Sequence, residues 1–160
     1  RIYSINETYI KSIDEKDLFN FFKEYVSKYK KPIDQAKESI LLKSMGFLKN
    51  KAKTLEDIWN NAQYIINDKI EIGADDKKLI DDLSKKVIND FISEYEKLSS
   101  LSREVLEPII KSLIDKHKTN FKGVGQPLRI ALVGSRFGPG LYDVILSLDK
   151  AEVVKRLKQI

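Results

Sequence analysis

Apolar residues recur at three- and four-residue spacing over most of this chain, and that period constrains the fold more than any other feature. The longest such stripe is Leu79, Leu83, Val87, Ile88, Phe91, Ile92 and Tyr95. A period of 3.6 gathers these side chains on one face of a helix, whereas a half-buried strand needs strict alternation. Leu18, Phe21, Phe22, Tyr25, Val26 and Tyr29 make a second stripe, and Ile40, Leu41, Met45 and Leu48 a third. Ile58, Trp59, Ala62, Ile65 and Ile66 follow, then Val105, Ile109, Ile110, Leu113 and Ile114. The stripes favour an all-α fold, and 160 residues with 42% hydrophobic content suffice for a core.

Capping residues place the helix starts. Asp14, with Asp17 close behind, predicts the start of the aromatic-rich helix, which stops before Pro32. Asp34 is positioned to cap the next helix. Thr54, followed by Asp57, reads as a cap with an acid three residues on. The fifth stripe opens around Ser102 or at Glu107-Pro108, and residues 70–75 form a connector containing Gly73. Residues 1–13 are a lead-in of ambiguous type, in which Ile5, Tyr9, Ile10 and Ile13 are available for packing. Residues 119–127 read as a polar loop, followed by short helical turns around 128–133, 141–148 and 151–159. The run 128–133 suits a strand by propensity as well as a helix. Residues 99–102, rich in serine, are the predicted subdomain boundary, dividing the chain into residues 1–100 and 101–160.

Charge is unevenly distributed. The formal net charge is +5, and residues 118–160 carry all of it, with eight bases against three acids. A second basic window runs between Glu38 and Glu56, where Lys43, Lys49, Lys51 and Lys53 meet no acid. Such asymmetry points to a polyanion as partner. The chain has no cysteine, which excludes disulfides and thiolate zinc sites. Its single histidine, His117, stands at the end of an apolar stripe and leaves no serine, histidine and acid constellation to build. No apolar run approaches the roughly 18 residues that span a bilayer, and no stretch is expected to act as a signal peptide. A first residue of Arg1 rather than methionine suggests a piece of something longer.

The remaining chemistry concentrates in Gly125-Gln126-Pro127-Leu128-Arg129-Ile130-Ala131-Leu132-Val133-Gly134-Ser135-Arg136-Phe137-Gly138-Pro139-Gly140-Leu141-Tyr142. Gly134 suits a left-handed helix end, and Gly138-Pro139-Gly140 a tight reversal before a second apolar segment. Arg129 and Arg136 flank that reversal with guanidinium forks suited to phosphates or base edges. The stretch matches neither the GxxxxGK[ST] loop nor the GxGxxG fingerprint. Paired acids at Asp75-Asp76 and Asp81-Asp82 suit helix surfaces or caps. Read alone, the stretch is equally a turn between core helices with solvent-facing arginines.

Gln126-Pro127-Leu128-Arg129-Ile130-Ala131-Leu132-Val133-Gly134, then Pro139-Gly140-Leu141, Leu148, Lys150 and Arg156-Leu157, resembles the C-terminal pattern of bacterial glutamyl-tRNA synthetases. Ile5-Asn6-Glu7-Thr8-Tyr9-Ile10 and Lys51-Ala52-Lys53-Thr54-Leu55-Glu56-Asp57 resemble two earlier segments of that family, in its order. The resemblance covers residues 1–160 and concerns the anticodon-binding part. It implies an all-α fold of two packed helical subdomains, the helical cage of class I aminoacyl-tRNA synthetases, and selects helix for residues 128–133.

It further implies a parent enzyme, cytoplasmic and monomeric, that joins glutamate to tRNA(Glu) through a glutamyl-adenylate using ATP with magnesium, with tRNA(Gln) as a further candidate partner. The family's nucleotide-binding signatures are absent from this chain, so the chain alone is expected to be inactive, without a cofactor, metal or catalytic residue of its own. The resemblance assigns anticodon contact to Arg129, Arg136, Gly138, Pro139, Gly140 and Leu141, joined by Lys43, Lys49 and Lys51. Two departures stand out. Lys51 occupies a position where the family usually carries arginine, and Leu148-Asp149-Lys150-Ala151 replaces Leu-Gly-Lys-Glu. A helical protein-interaction module without nucleic-acid binding is the alternative.

Overall fold

A computed structural model describes residues 5–160, so residues 1–4 of the lead-in lie outside the described residues. Eleven α-helices and no strand occur among the described residues. The chain divides into two compact units, Arg1–Asp68 and Lys69–Ile160.

In the first unit, α1 (Glu7–Ser12) starts at Asn6, whose side chain accepts the Tyr9 N–H at 2.9 Å. α2 (Glu15–Tyr29) starts at Asp14, as its sequence predicts, and ends at Lys30 before Pro32. Asp34 caps a 3-10 turn, Gln35–Lys37, which runs directly into α3 (Glu38–Leu48). A second 3-10 turn, Lys49–Lys51, leads to α4 (Leu55–Asn61) and α5 (Gln63–Ile66). Thr54 accepts the Asp57 N–H at 3.1 Å and holds the start of α4.

α2 packs on α3 and α4 and buries Leu18, Phe19, Phe22 and Val26. A buried Phe22 contributes about 1.5 to 3 kcal/mol. The aromatic stripe is thus rotated from its sequence reading. Phe19 joins the core, Phe21 and Tyr25 lie at its margin, and Tyr29 is exposed on the last turn. Tyr25 instead donates its hydroxyl to Glu56, which also pairs with Lys30, and this network ties α2 to α4. Burial and the Glu56 carboxylate push the Tyr25 hydroxyl up to about 12.

The second unit comprises α6 (Ala74–Lys77), α7 (Asp82–Glu96), α8 (Arg103–Lys116), α9 (Phe121–Val133), α10 (Leu141–Ser147) and α11 (Lys150–Lys158). Packing places the division between Asp68 and Lys69, not at residues 99–102. The reason is α7, whose buried Val87, Ile88, Phe91 and Tyr95 belong to a helix packed against α8, α9 and α11. Cutting after residue 100 would strand that face.

α9 is the centre of this unit, touching α7, α8, α10 and α11. It also begins earlier than its sequence suggests. Asn120 accepts the Gly123 N–H at 2.9 Å, and Val124, Pro127, Leu128 and Ala131 fall on one buried face. Residues 119–127 look like a loop because Gly123, Gly125 and Pro127 disfavour helix in isolation; burial outweighs that propensity. The helix ends at Gly134 in the left-handed conformation, φ 89°, with its N–H on the Ile130 carbonyl at 2.8 Å. A Cβ there would lie 2.6 Å from the Glu71 carbonyl oxygen and 2.8 Å from Ile70, so both conformation and space require glycine.

Candidate functional site

The turn of residues 134–140 joins the central α9 to α10. Arg129, on the penultimate turn of α9, donates from Nη1 to the Arg136 carbonyl at 3.2 Å. Its Nε is buried without a hydrogen-bond partner among the described residues, and desolvation lowers the pKa of the guanidinium. Arg136 is held from the other side. Its backbone N–H reaches Asp76 Oδ1 at 3.3 Å, and its Nη1 reaches the same oxygen at 2.9 Å. A carboxylate accepting both a backbone and a guanidinium donor fixes the main chain and side chain of one residue together.

Phe137 stands next to this clamp. Its N–H donates to Ser135 Oγ at 3.0 Å, the Arg136 guanidinium carbon lies 4.8 Å from its ring centre, and the residue is 70% exposed. Gly138 then takes φ 135°, Pro139 is buried, and Gly140 precedes the first residue of α10. Leu141 is 2% exposed and belongs to the core.

The structure therefore brings Arg129, Arg136, Gly138, Pro139, Gly140 and Leu141 to one turn, with the side chains of Pro139 and Leu141 turned inward. Lys43, Lys49 and Lys51 belong to the other unit. Lys43 is exposed on α3, and Lys51 is exposed at the end of the 3-10 turn. Lys49 donates from Nζ to the Ile13 carbonyl at 3.1 Å, so it also secures the end of α1.

Two residues at the turn escape sequence reasoning. Asp76 looks like half of a solvated acidic pair, but its side chain is only 15% exposed and holds Arg136. Its partner lies 60 residues away, and local sequence carries no sign of that pairing. Phe137 reads as one more aromatic, and only the surrounding Ser, Arg and Gly hint that nothing covers it. Asp81, by contrast, caps α7 through the Ser84 N–H at 2.9 Å.

His117 serves the scaffold. Its Nε2 lies 2.8 Å from Asp90 Oδ2, and the Lys116 ammonium lies 2.9 Å from the same oxygen. The Lys116 and His117 contacts hold the Asp90 carboxyl below its ordinary range against the opposing effect of burial. Elsewhere, the buried Arg156 donates to Glu152 at 2.7 Å and to the Leu132 carbonyl at 2.7 Å, securing α11 to the end of α9. No helix is long and apolar enough to cross a membrane among the described residues.

Comparison with known proteins identifies the family. The family described as "Anticodon binding domain" matches residues 13–160. A glutamate–tRNA ligase of Pelagibacter ubique is 54% identical over 157 residues, covering 98% of this chain and 34% of the relative. One from Bradyrhizobium diazoefficiens is 27% identical over 166 residues, covering 99% of this chain and 35% of the relative. The chain thus spans about a third of the length of the curated relatives it matches. Among solved structures, a glutamate tRNA ligase from Elizabethkingia meningosepticum superposes with a TM-score of 0.78 at 21% identity, over 96% of this chain and 30% of that one.

Proposed function

This chain belongs to the anticodon-binding domain family, and we propose that it grips the anticodon loop of tRNA(Glu) as part of a cytoplasmic, monomeric glutamate–tRNA ligase. The carrying observation is the turn of residues 134–140, which lies within the family match and in which Arg129 and Arg136 are held in place. Unpaired loop bases expose their edges and faces, so a rigid protein surface can read them while cations neutralise the phosphates.

In this reading Arg129 orders the turn through Nη1 and supplies a base-edge contact, while Arg136 and the backbone of Gly138, Pro139 and Gly140 form the contact surface. Leu141 anchors that surface from the core. Lys43, Lys49 and Lys51 contribute phosphate neutralisation from the first unit. The family match displaces the alternative of a protein-interaction module.

The longer protein would attach glutamate to tRNA through a glutamyl-adenylate, with ATP and magnesium. This chain's residues do not fit that group. Asp76, the carboxylate at the turn, is committed to Arg136, and no set of His, Cys, Asp or Glu suited to a metal occurs among the described residues. We infer that in such a ligase the adenylate chemistry lies in the part of the relatives that this chain does not span, and that this chain helps to position the tRNA.

Titrating the chain against anticodon stem-loops of tRNA(Glu) and tRNA(Gln) across a salt series tests this. Binding that weakens steeply with salt and favours tRNA(Glu) is expected. Absence of binding to either loop at low salt overturns the reading, and equal binding to both extends the partner to tRNA(Gln).

A further inference from the structure

We propose that Phe137 is a stacking platform for an unpaired RNA base, an inference that rests on the anticodon-binding reading. Phe137 is the most exposed large apolar side chain among the described residues, at 70%. Exposure alone says little, because isolated apolar residues are common on surfaces. The difference here is the backbone beneath the ring. Its own N–H is held by Ser135, the preceding residue by Asp76 and Arg129, and the flanking Gly134 and Gly138 both adopt positive φ. The chain thus holds an aromatic ring in solvent on a turn fixed from both sides, a preorganised arrangement that lowers the entropic cost of receiving a partner.

The surroundings of the ring decide the partner. An apolar peptide would need contiguous apolar surface around Phe137, but its sequence neighbours are Ser135, Arg136 and Gly138. The Arg136 guanidinium lies 4.8 Å from the ring centre while paired to Asp76. A planar ring with a fixed cation beside it suits a base whose phosphate carries the negative charge. Because every base has a π-face, such a platform tolerates sequence and adds affinity rather than discrimination.

The test uses the full chain and a tRNA(Glu) anticodon stem-loop carrying 2-aminopurine at each anticodon position in turn. Stacking on Phe137 is expected to change the fluorescence at one of these positions. Phe137→Leu, which keeps apolarity but loses the planar ring, should abolish that change. Phe137→Ala should weaken binding about fivefold or more for cognate and altered loops alike, leave the salt slope and Tm unchanged, and be rescued by Phe137→Trp.

If the unaltered chain binds no stem-loop, the anticodon reading itself falls and takes this inference with it. If it binds, but Phe137→Ala and Phe137→Leu bind as tightly as the unaltered chain, or 2-aminopurine responds at no position, the stacking role is overturned while the anticodon reading stands. A loss confined to the cognate loop likewise overturns sequence-tolerant stacking.

Discussion

The lysines at positions 43, 49 and 51 and the turn of residues 134–140 both present positive charge, but by different physical means. Lys43 and Lys51 carry ammonium groups on exposed, many-rotamer side chains. Arg136 has its main chain and guanidinium fixed by one carboxylate, and its carbonyl fixed by Arg129. A point charge on a long stem attracts phosphate from any direction, whereas a fixed fork selects geometry. On the proposed anticodon reading, the lysines would supply attraction and the turn readout, so substitutions in the two places should differ in kind as well as in size.

The largest effect is expected at the hinge on which the turn depends. Gly134→Ala forces a Cβ into the left-handed region and within 2.6 Å of the Glu71 carbonyl oxygen. Backbone strain and overpacking together should cost about 3 kcal/mol of stability, read by chemical denaturation, and stem-loop affinity should fall with the displaced turn. A loss below about 1 kcal/mol would show that the turn relaxes easily and is no more rigid than the lysine window.

Arg129 comes next. Removing it leaves the Arg136 carbonyl without this donor, which should cost about 1 kcal/mol of stability. Loss of a base-edge contact should also cost the cognate loop about 1 to 3 kcal/mol more than a loop with an altered anticodon. Arg129→Lys keeps charge and most of the stem but loses the fork. If Arg129→Lys retains both affinity and anticodon preference, Arg129 belongs with the lysines as a charge or with the scaffold.

Asp76→Ala probes the clamp without touching any proposed RNA contact. The pair is largely shielded, with side-chain exposures of 31% for Arg136 and 15% for Asp76, so its loss should cost about 1 kcal/mol of stability. The change removes a negative charge, so charge alone would strengthen RNA binding. If the clamp instead matters through geometry, affinity should drop. A gain in affinity would mean that Arg136 acts as a simple cation.

The legibility of these features in the sequence follows the range of the interactions that create them. Helix stripes, the caps at Asp14 and Thr54, and the left-handed stop at Gly134 are local, and each can be read from a few neighbouring residues. The all-α fold and its relation to the anticodon-binding domain follow from such signals and their order. The start of α9 is harder to read, because Gly123, Gly125 and Pro127 have poor helix propensity and only burial among four other helices overrides it. The Asp76 clamp and the division at Asp68 depend on partners far apart in sequence. The exposure of Phe137 is equally hidden, since an aromatic is ordinarily assigned to a core.

Lys43 and Lys49 sharpen the comparison from its weak end. Sequence alone makes them alike, two lysines in one acid-free window, and each would be expected to weaken cognate and non-cognate loops similarly. The structure distinguishes them, because the Lys49 ammonium donates to the Ile13 carbonyl at the end of α1 while Lys43 stands exposed on α3. Lys43→Ala should leave Tm unchanged, weaken both loops by about 0.5 kcal/mol, and lower the salt slope by about 0.7 to 1 if the ammonium neutralises one phosphate. Lys49→Ala should match that effect on binding and also lower stability by about 0.5 to 1 kcal/mol through its lost hydrogen bond. Should Lys49→Ala destabilise the chain yet leave the salt slope untouched, its charge serves the fold alone, and phosphate attraction from this window falls to its exposed lysines.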